Sequence, residues 1–142
     1  MKRGGTLVEV MMACVVLAVI AMVGGAYVYQ SMGTLSVHRD RAVAVAVANS
    51  RLEELRSTTF GDLTNLPGFS MSGTNWVKRA GNSWVVTSAS AYDSFSMGAS
   101  VGQLRAGLQI TNVVVPADAM IMTVQATCRT PDSVNLRTLY AP

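Results

Sequence analysis

Residues 10–29 form an unbroken run of twenty that contains no charged residue and no Asn, Gln, Ser, Thr or Pro. At about 1.5 Å of rise per residue, such a run wound as a helix is roughly 30 Å long, the thickness of a hydrocarbon core. No other feature limits the fold as strongly. The run predicts one membrane-crossing helix near the N-terminus. With 142 residues in all, there is room beyond it for one modest domain.

Charge sets the expected orientation. Lys2 and Arg3 precede the run with no acid beside them, which favours a cytoplasmic N-terminus, although His38, Arg39 and Arg41 lie on the other side. The C-terminal part is then expected in the periplasm or outside the cell. Of the net +3, Lys2 and Arg3 supply two units; the other nine Lys and Arg face eight acids. These remaining cations are scattered rather than clustered in a stripe, so nucleic acid is not an expected partner. Cys14 falls within the apolar run and Cys128 near the C-terminus. They are not expected to pair, and both read as small apolar fillers.

One long helix is predicted from about Thr6 to about Thr58, with Gly24, Gly25 and Gly33 as points where it can bend. Its second half contains A-V-A-V-A-V-A (42–48), which alternates like a strand. Alanine is the best helix former and a poor strand former, and R-L-E-E-L-R follows directly, so helix is the expectation. Val37, Ala44, Val45, Ala48, Leu52 and Leu55 then share one face, a stripe suited to covering a sheet. Val43 and Val47 are read as lying nearly opposite, either as exposed valines or as a contact with another molecule.

After Thr58 the composition turns to Gly, Ser, Thr and Asn with short β-type runs. N-W-V-K-R (75–79) and S-W-V-V-T (83–87) flank A-G-N and predict a hairpin. A strand is expected over 107–115, ending at Pro116. Two more, over 119–129 and 133–140, flank the turn signal T-P-D. In the last strand Leu139 interrupts the apolar alternation, and residues 88–100 read as neither helix nor strand. The fold class is therefore α+β: a long N-terminal helix, membrane-spanning in its first half and amphipathic in its second, packed on a small antiparallel β-sheet.

Glu9 stands at the head of the apolar run, where a carboxylate costs on the order of 2.5–3.5 kcal/mol at a helix centre and less near the interface. It needs a partner. Arg3 is six positions upstream, a poor match to helical spacing. A cut after Gly4 would leave a new α-amino group on Gly5, four residues from Glu9 on the same helical face; the amine of a neighbouring copy would serve equally well.

M-K-R-G followed by G-T-L-V-E-V-M-M-A resembles the class III signal of type IV pilins and type II secretion pseudopilins. The resemblance implies cleavage by a prepilin peptidase after Gly4, N-methylation of Gly5, and an assembly role for Glu9, which compensates the N-terminal amine of an adjoining subunit. Thr6, Leu7 and Val8 match the family's usual run. R-L-E-E-L-R and the final pair of strands are similar in style to minor pseudopilins and minor pilins. Gly5 replaces the usual phenylalanine or methionine, Ala26 stands where a proline is frequent, and Cys128 has no partner for the disulfide loop of many major pilins. These departures point to a minor subunit. The division implied is a leader over 1–4, a transmembrane and assembly half-helix over 5–32, an amphipathic half-helix over 33–60 and a β domain over 61–142.

The implied partners are other pilin or pseudopilin subunits, the prepilin peptidase and an inner-membrane assembly platform. The implied location is the bacterial inner membrane, single-pass, with the C-terminal domain periplasmic and open to extraction into a filament. Helix packing falls to Val45, Ala48, Leu52 and Leu55, with Thr6 beside Glu9 in assembly and Val43 and Val47 toward a neighbouring subunit. Two other readings stay open: a secreted protein whose signal peptide is cut before Tyr27 after G-G-A, and a plain single-span anchor holding a small binding domain. Catalysis is not expected, nor any cofactor or metal. His38 reads as a solvated interfacial residue, and Asp62, Asp93, Asp118 and Asp132 read as turn residues. The nine methionines show no ligand spacing.

Overall fold

The computed structural model describes residues 6–97, 100–110, 119–128 and 133–141. The chain divides into two compact units, Met1–His38 and Arg39–Pro142. Helix α1 (Leu7–Ser57) contributes to both and is helical through Gly24, Gly25 and Gly33. Within the second unit, α1 joins the core from Ala44 onward.

In the first unit every large apolar side chain from Leu7 to Leu35 is exposed, between 52% and 83%. Beyond the apolar run, three hydroxyls fold back on carbonyls three residues earlier: Ser31 to Val28 at 2.9 Å, Thr34 to Ser31 at 2.9 Å, and Ser36 to Gly33 at 2.8 Å. Each polar side chain is thereby satisfied within the helix itself.

The second unit packs the end of α1 on a six-stranded antiparallel sheet. After α1, Thr59 caps the short helix α2 (Phe60–Thr64): its hydroxyl accepts from Asp62 N–H at 3.3 Å. The strands are β1 (Gly73–Ala80), β2 (Ser83–Thr87), β3 (Asp93–Met97), β4 (Ser100–Ile110), β5 (Met120–Thr127) and β6 (Ser133–Tyr140). Their order is β2-β1-β4-β5-β6, with β3 also paired to β4. The long strand β4 thus serves two neighbours along one edge, β3 opposite its first residues and β1 opposite its last.

Local chemistry explains most of these elements. The β1–β2 hairpin turns through Gly81 and Asn82, with φ +63° at Gly81, where a first central glycine suits a type II′ turn. In β5, Met120, Met122, Val124 and Ala126 are all fully buried and alternate with half-buried neighbours. In β6 the alternation is regular: Val134, Leu136, Thr138 and Tyr140 turn toward the core, and Leu139 is simply an exposed member of the outward row.

Several expectations are corrected. The strand expected to start at residue 107 begins at Ser100, since Leu104, Ala106 and Leu108 already alternate inward; its expected part over 111–115 lies outside the described residues. Residues 88–100, without an assignment from sequence, contain β3 and the start of β4. Asp62 sits in α2 and Asp93 begins β3, so neither is a turn residue, while Asp118, Asp132 and the T-P-D turn lie outside the described residues.

Candidate functional site

Two regions carry the residues singled out from sequence: the first turn of α1 and the face of α1 that meets the sheet. Gly4 and Gly5 lie outside the described residues. Thr6 immediately precedes α1, and its carbonyl accepts hydrogen bonds from the N–H groups of Glu9 at 2.9 Å and Val10 at 3.3 Å. Thr6 is therefore at the N-cap and Glu9 is the third residue within the helix. Glu9 is exposed in this first turn, where a carboxylate complements the positive end of the helix dipole. Among the described residues it has no ion-pair partner.

Below that turn the helix is apolar on every side, and it is long and apolar enough to cross a membrane. A soluble helix shows one apolar stripe; an all-round apolar surface needs either a full protein coat or lipid. Tyr27 and Tyr29 stand at the end of the run, the aromatic residues that prefer a membrane–water boundary.

On the second unit's stretch of α1, Ala44, Ala48, Leu52 and Leu55 are buried, and Val45 is half-buried at the flank. Val43 and Val47 are also half-buried, and Val47 packs against the core cluster. Val47 is therefore not opposite the stripe: at 100° per residue it borders Ala44, and it packs against the core. The helix is tied down by polar contacts as well. Glu54 accepts from Arg51 Nη1 at 2.6 Å and pairs with Arg79 of β1. Tyr140 of β6 donates its hydroxyl to the Thr58 carbonyl at 3.1 Å and stacks on Phe60. Cys128 Sγ donates to the Asp40 carbonyl at 3.5 Å.

Between the end of α1, α2 and the β1–β2 hairpin lies a cleft of about 370 Å³, lined by Glu54, Thr58, Asp62, Arg79 and Trp84 among others. Its central carboxylate, Glu54, is already engaged by two guanidinium groups, which makes this a brace between helix and hairpin rather than a receptive site. Among the described residues no group of His, Cys, Asp and Glu is arranged to hold a metal ion. Met120 and Met122 are fully buried core residues, and Met71 is exposed.

One constellation was missed by the sequence reading. Arg105 of β4 lays its guanidinium over the Trp76 ring, 3.3 Å from the centroid, with the Tyr92 ring centroid 5.6 Å away. Trp76 in turn lies against Gly107, where a Cβ would come within 3.0 Å of the ring. The signal was available in L-R-A-G-L-Q-I, whose strict alternation puts Arg105 and Gly107 on the face opposite Leu104, Ala106 and Leu108. Set against protein-family models, curated proteins and solved structures, the chain matches none of them.

Proposed function

We propose that this chain is a structural subunit, a minor pseudopilin or minor pilin, of a type IV pilus-like filament. The observation that carries the reading is Glu9: a carboxylate kept at the head of an apolar helix, in its first turn, with no cation among the described residues to balance it. Cleavage after Gly4 removes Lys2 and Arg3 and creates one amine on Gly5. Glu9 of one subunit then pairs with that amine on its neighbour. In a low-dielectric setting, a mismatched register leaves a charge alone at a cost of about 3–5 kcal/mol.

In this reading the precursor waits in the inner membrane with its N-terminus cytoplasmic. The prepilin peptidase cuts and methylates it, and the assembly platform lifts it out. The all-round apolar surface of the first unit packs helix against helix in the fibre, and the α+β unit faces outward. The function is mechanical rather than catalytic.

A second reading has one observation in its favour. Thr6 at the N-cap and Glu9 three residues on have the spacing of a capping box, in which the acid serves the free N–H groups of its own helix. Glu9 would then belong to a plain single-span anchor. The N-terminus of the protein isolated from its native membrane separates the two. The filament reading requires a mature chain beginning at Gly5, and Gly4→Ala should leave a precursor heavier by the four-residue leader, visible by intact mass. A chain that still carries Met1–Gly4, or a mature product of normal mass from the Gly4→Ala variant, overturns the filament reading.

A further inference from the structure

The sheet has a second face. On the side away from α1, the strand register lines up rows of outward residues: Arg105 opposite Gln125, itself opposite Asn135, and Gly107 opposite Thr123, itself opposite Arg137. The face is carpeted with amides and hydroxyls. Among the described residues its two arginines meet no carboxylate: β1, β2, β4, β5 and β6 contain no acidic residue, and Asp93 of β3 is taken up by Lys78 at 3.1 Å. Neither Arg105 nor Arg137 forms an ion pair among the described residues.

Arg105 is also held in place. Its guanidinium rests on Trp76, Tyr92 flanks it, and its Nε is enclosed without a hydrogen-bond acceptor. Stacking fixes the plane of the fork while leaving the charge unneutralised, so little rotamer freedom remains to be lost when an acceptor arrives. A carboxylate meets such a fork with two parallel hydrogen bonds. Arg137 stands two strands away and two residues along, at roughly 12 Å between backbones, and supplies a second cation beyond the amide row.

We propose that this outer face, centred on Arg105, Trp76 and Tyr92 with Arg137 at its margin, docks a carboxylate-bearing surface of a partner protein. Arg, Trp and Tyr together are the composition of an interface hot spot, and the surrounding Gln, Thr and Asn form a polar rim. Nucleic acid is the poorer fit, since phosphate tracking draws on a continuous stripe of cations and this face has two uncompensated arginines. The inference rests on the sheet alone and holds whether or not the chain enters a filament.

The test uses the full-length chain in nonionic detergent and a fluorescently labelled decapeptide of alternating Glu and Asp, read by anisotropy at low salt. A neutral Gln peptide and a dT10 oligonucleotide serve as comparison probes. The acidic peptide should bind, and the Gln peptide should not. Arg105→Gln and Arg105→Lys should both weaken binding by about tenfold or more, because lysine provides neither fork nor stack. Arg137→Gln, exposed near the sheet edge and safe for folding, should weaken it severalfold, whereas Arg39→Gln with Arg41→Gln should change it less than about twofold. Circular dichroism checks each variant's fold. No binding of the acidic peptide, tighter binding of the oligonucleotide, an unaltered affinity in Arg137→Gln, or an equal loss in the Arg39/Arg41 double variant would each overturn the proposal.

Discussion

Asn75 is buried within β1, yet both ends of its amide are satisfied by one residue: Nδ2 donates to the Ser70 carbonyl at 2.8 Å and Oδ1 accepts from the Ser70 N–H at 2.8 Å. This pair fastens the segment after α2 to the sheet. Asn75→Asp keeps the shape but turns the donor into a second acceptor facing a carbonyl, which should lower stability by about 1–3 kcal/mol, measured by chemical denaturation of the second unit's signal. A neutral result would mean the Ser70 contact carries no stability. Glu9 offers a sharper discrimination, because glutamine preserves a capping box while removing the charge. Under the filament proposal Glu9→Gln should insert and be cleaved, yet be incorporated as poorly as Glu9→Ala, scored by the amount of subunit in sheared filaments. Normal incorporation of Glu9→Gln would reduce Glu9 to a cap.

At the scale of elements, α1 approaches the sheet through its two smallest buried residues, Ala44 and Ala48, both fully enclosed. Leu52 and Leu55 continue the same buried stripe toward the C-terminal end of the helix. Ala48→Leu should overpack this seam and cost about 1–3 kcal/mol, seen as a lower Tm in detergent, while the same change at exposed Ala46 should be close to neutral. Equal effects at the two positions would show that the seam is loose. The alternation of A-V-A-V-A-V-A had already been resolved toward helix by the preference of alanine, but the angular position assigned to Val47 was wrong: at 100° per residue it borders Ala44, and it packs against the core.

For the whole molecule, the first unit's exposed apolar surface is the dominant physical fact, and such a surface does not persist in water without a coat. Before assembly, the chain should remain with the membrane pellet after alkaline carbonate extraction and partition into the detergent phase. Release into the supernatant would remove the membrane-anchored intermediate on which the proposed extraction depends. Replacing two adjacent residues of the apolar run, Leu17 and Ala18, with arginine should reverse that behaviour, since each arginine costs about 2.5–3.5 kcal/mol at a helix centre.

Properties that depend on neighbours along the chain were readable from the letters. The apolar run, the extent of the long helix to within a residue at each end, the β1–β2 hairpin around Gly81 and the limits of β6 all follow from local periodicity and turn chemistry. Glu9 was conspicuous for the same reason: a charge in an apolar run is a local contradiction. Folding in three dimensions added what no local pattern contains. The start of β4 at Ser100 depends on β3 folding back to pair with it, and the clamp on Arg105 draws together Trp76, Tyr92 and Arg105 from three separate stretches. Strand pairing is long-range, with one residue's partner chosen by the path of distant chain, so the outer face and its two arginines became visible only once the strands had an order.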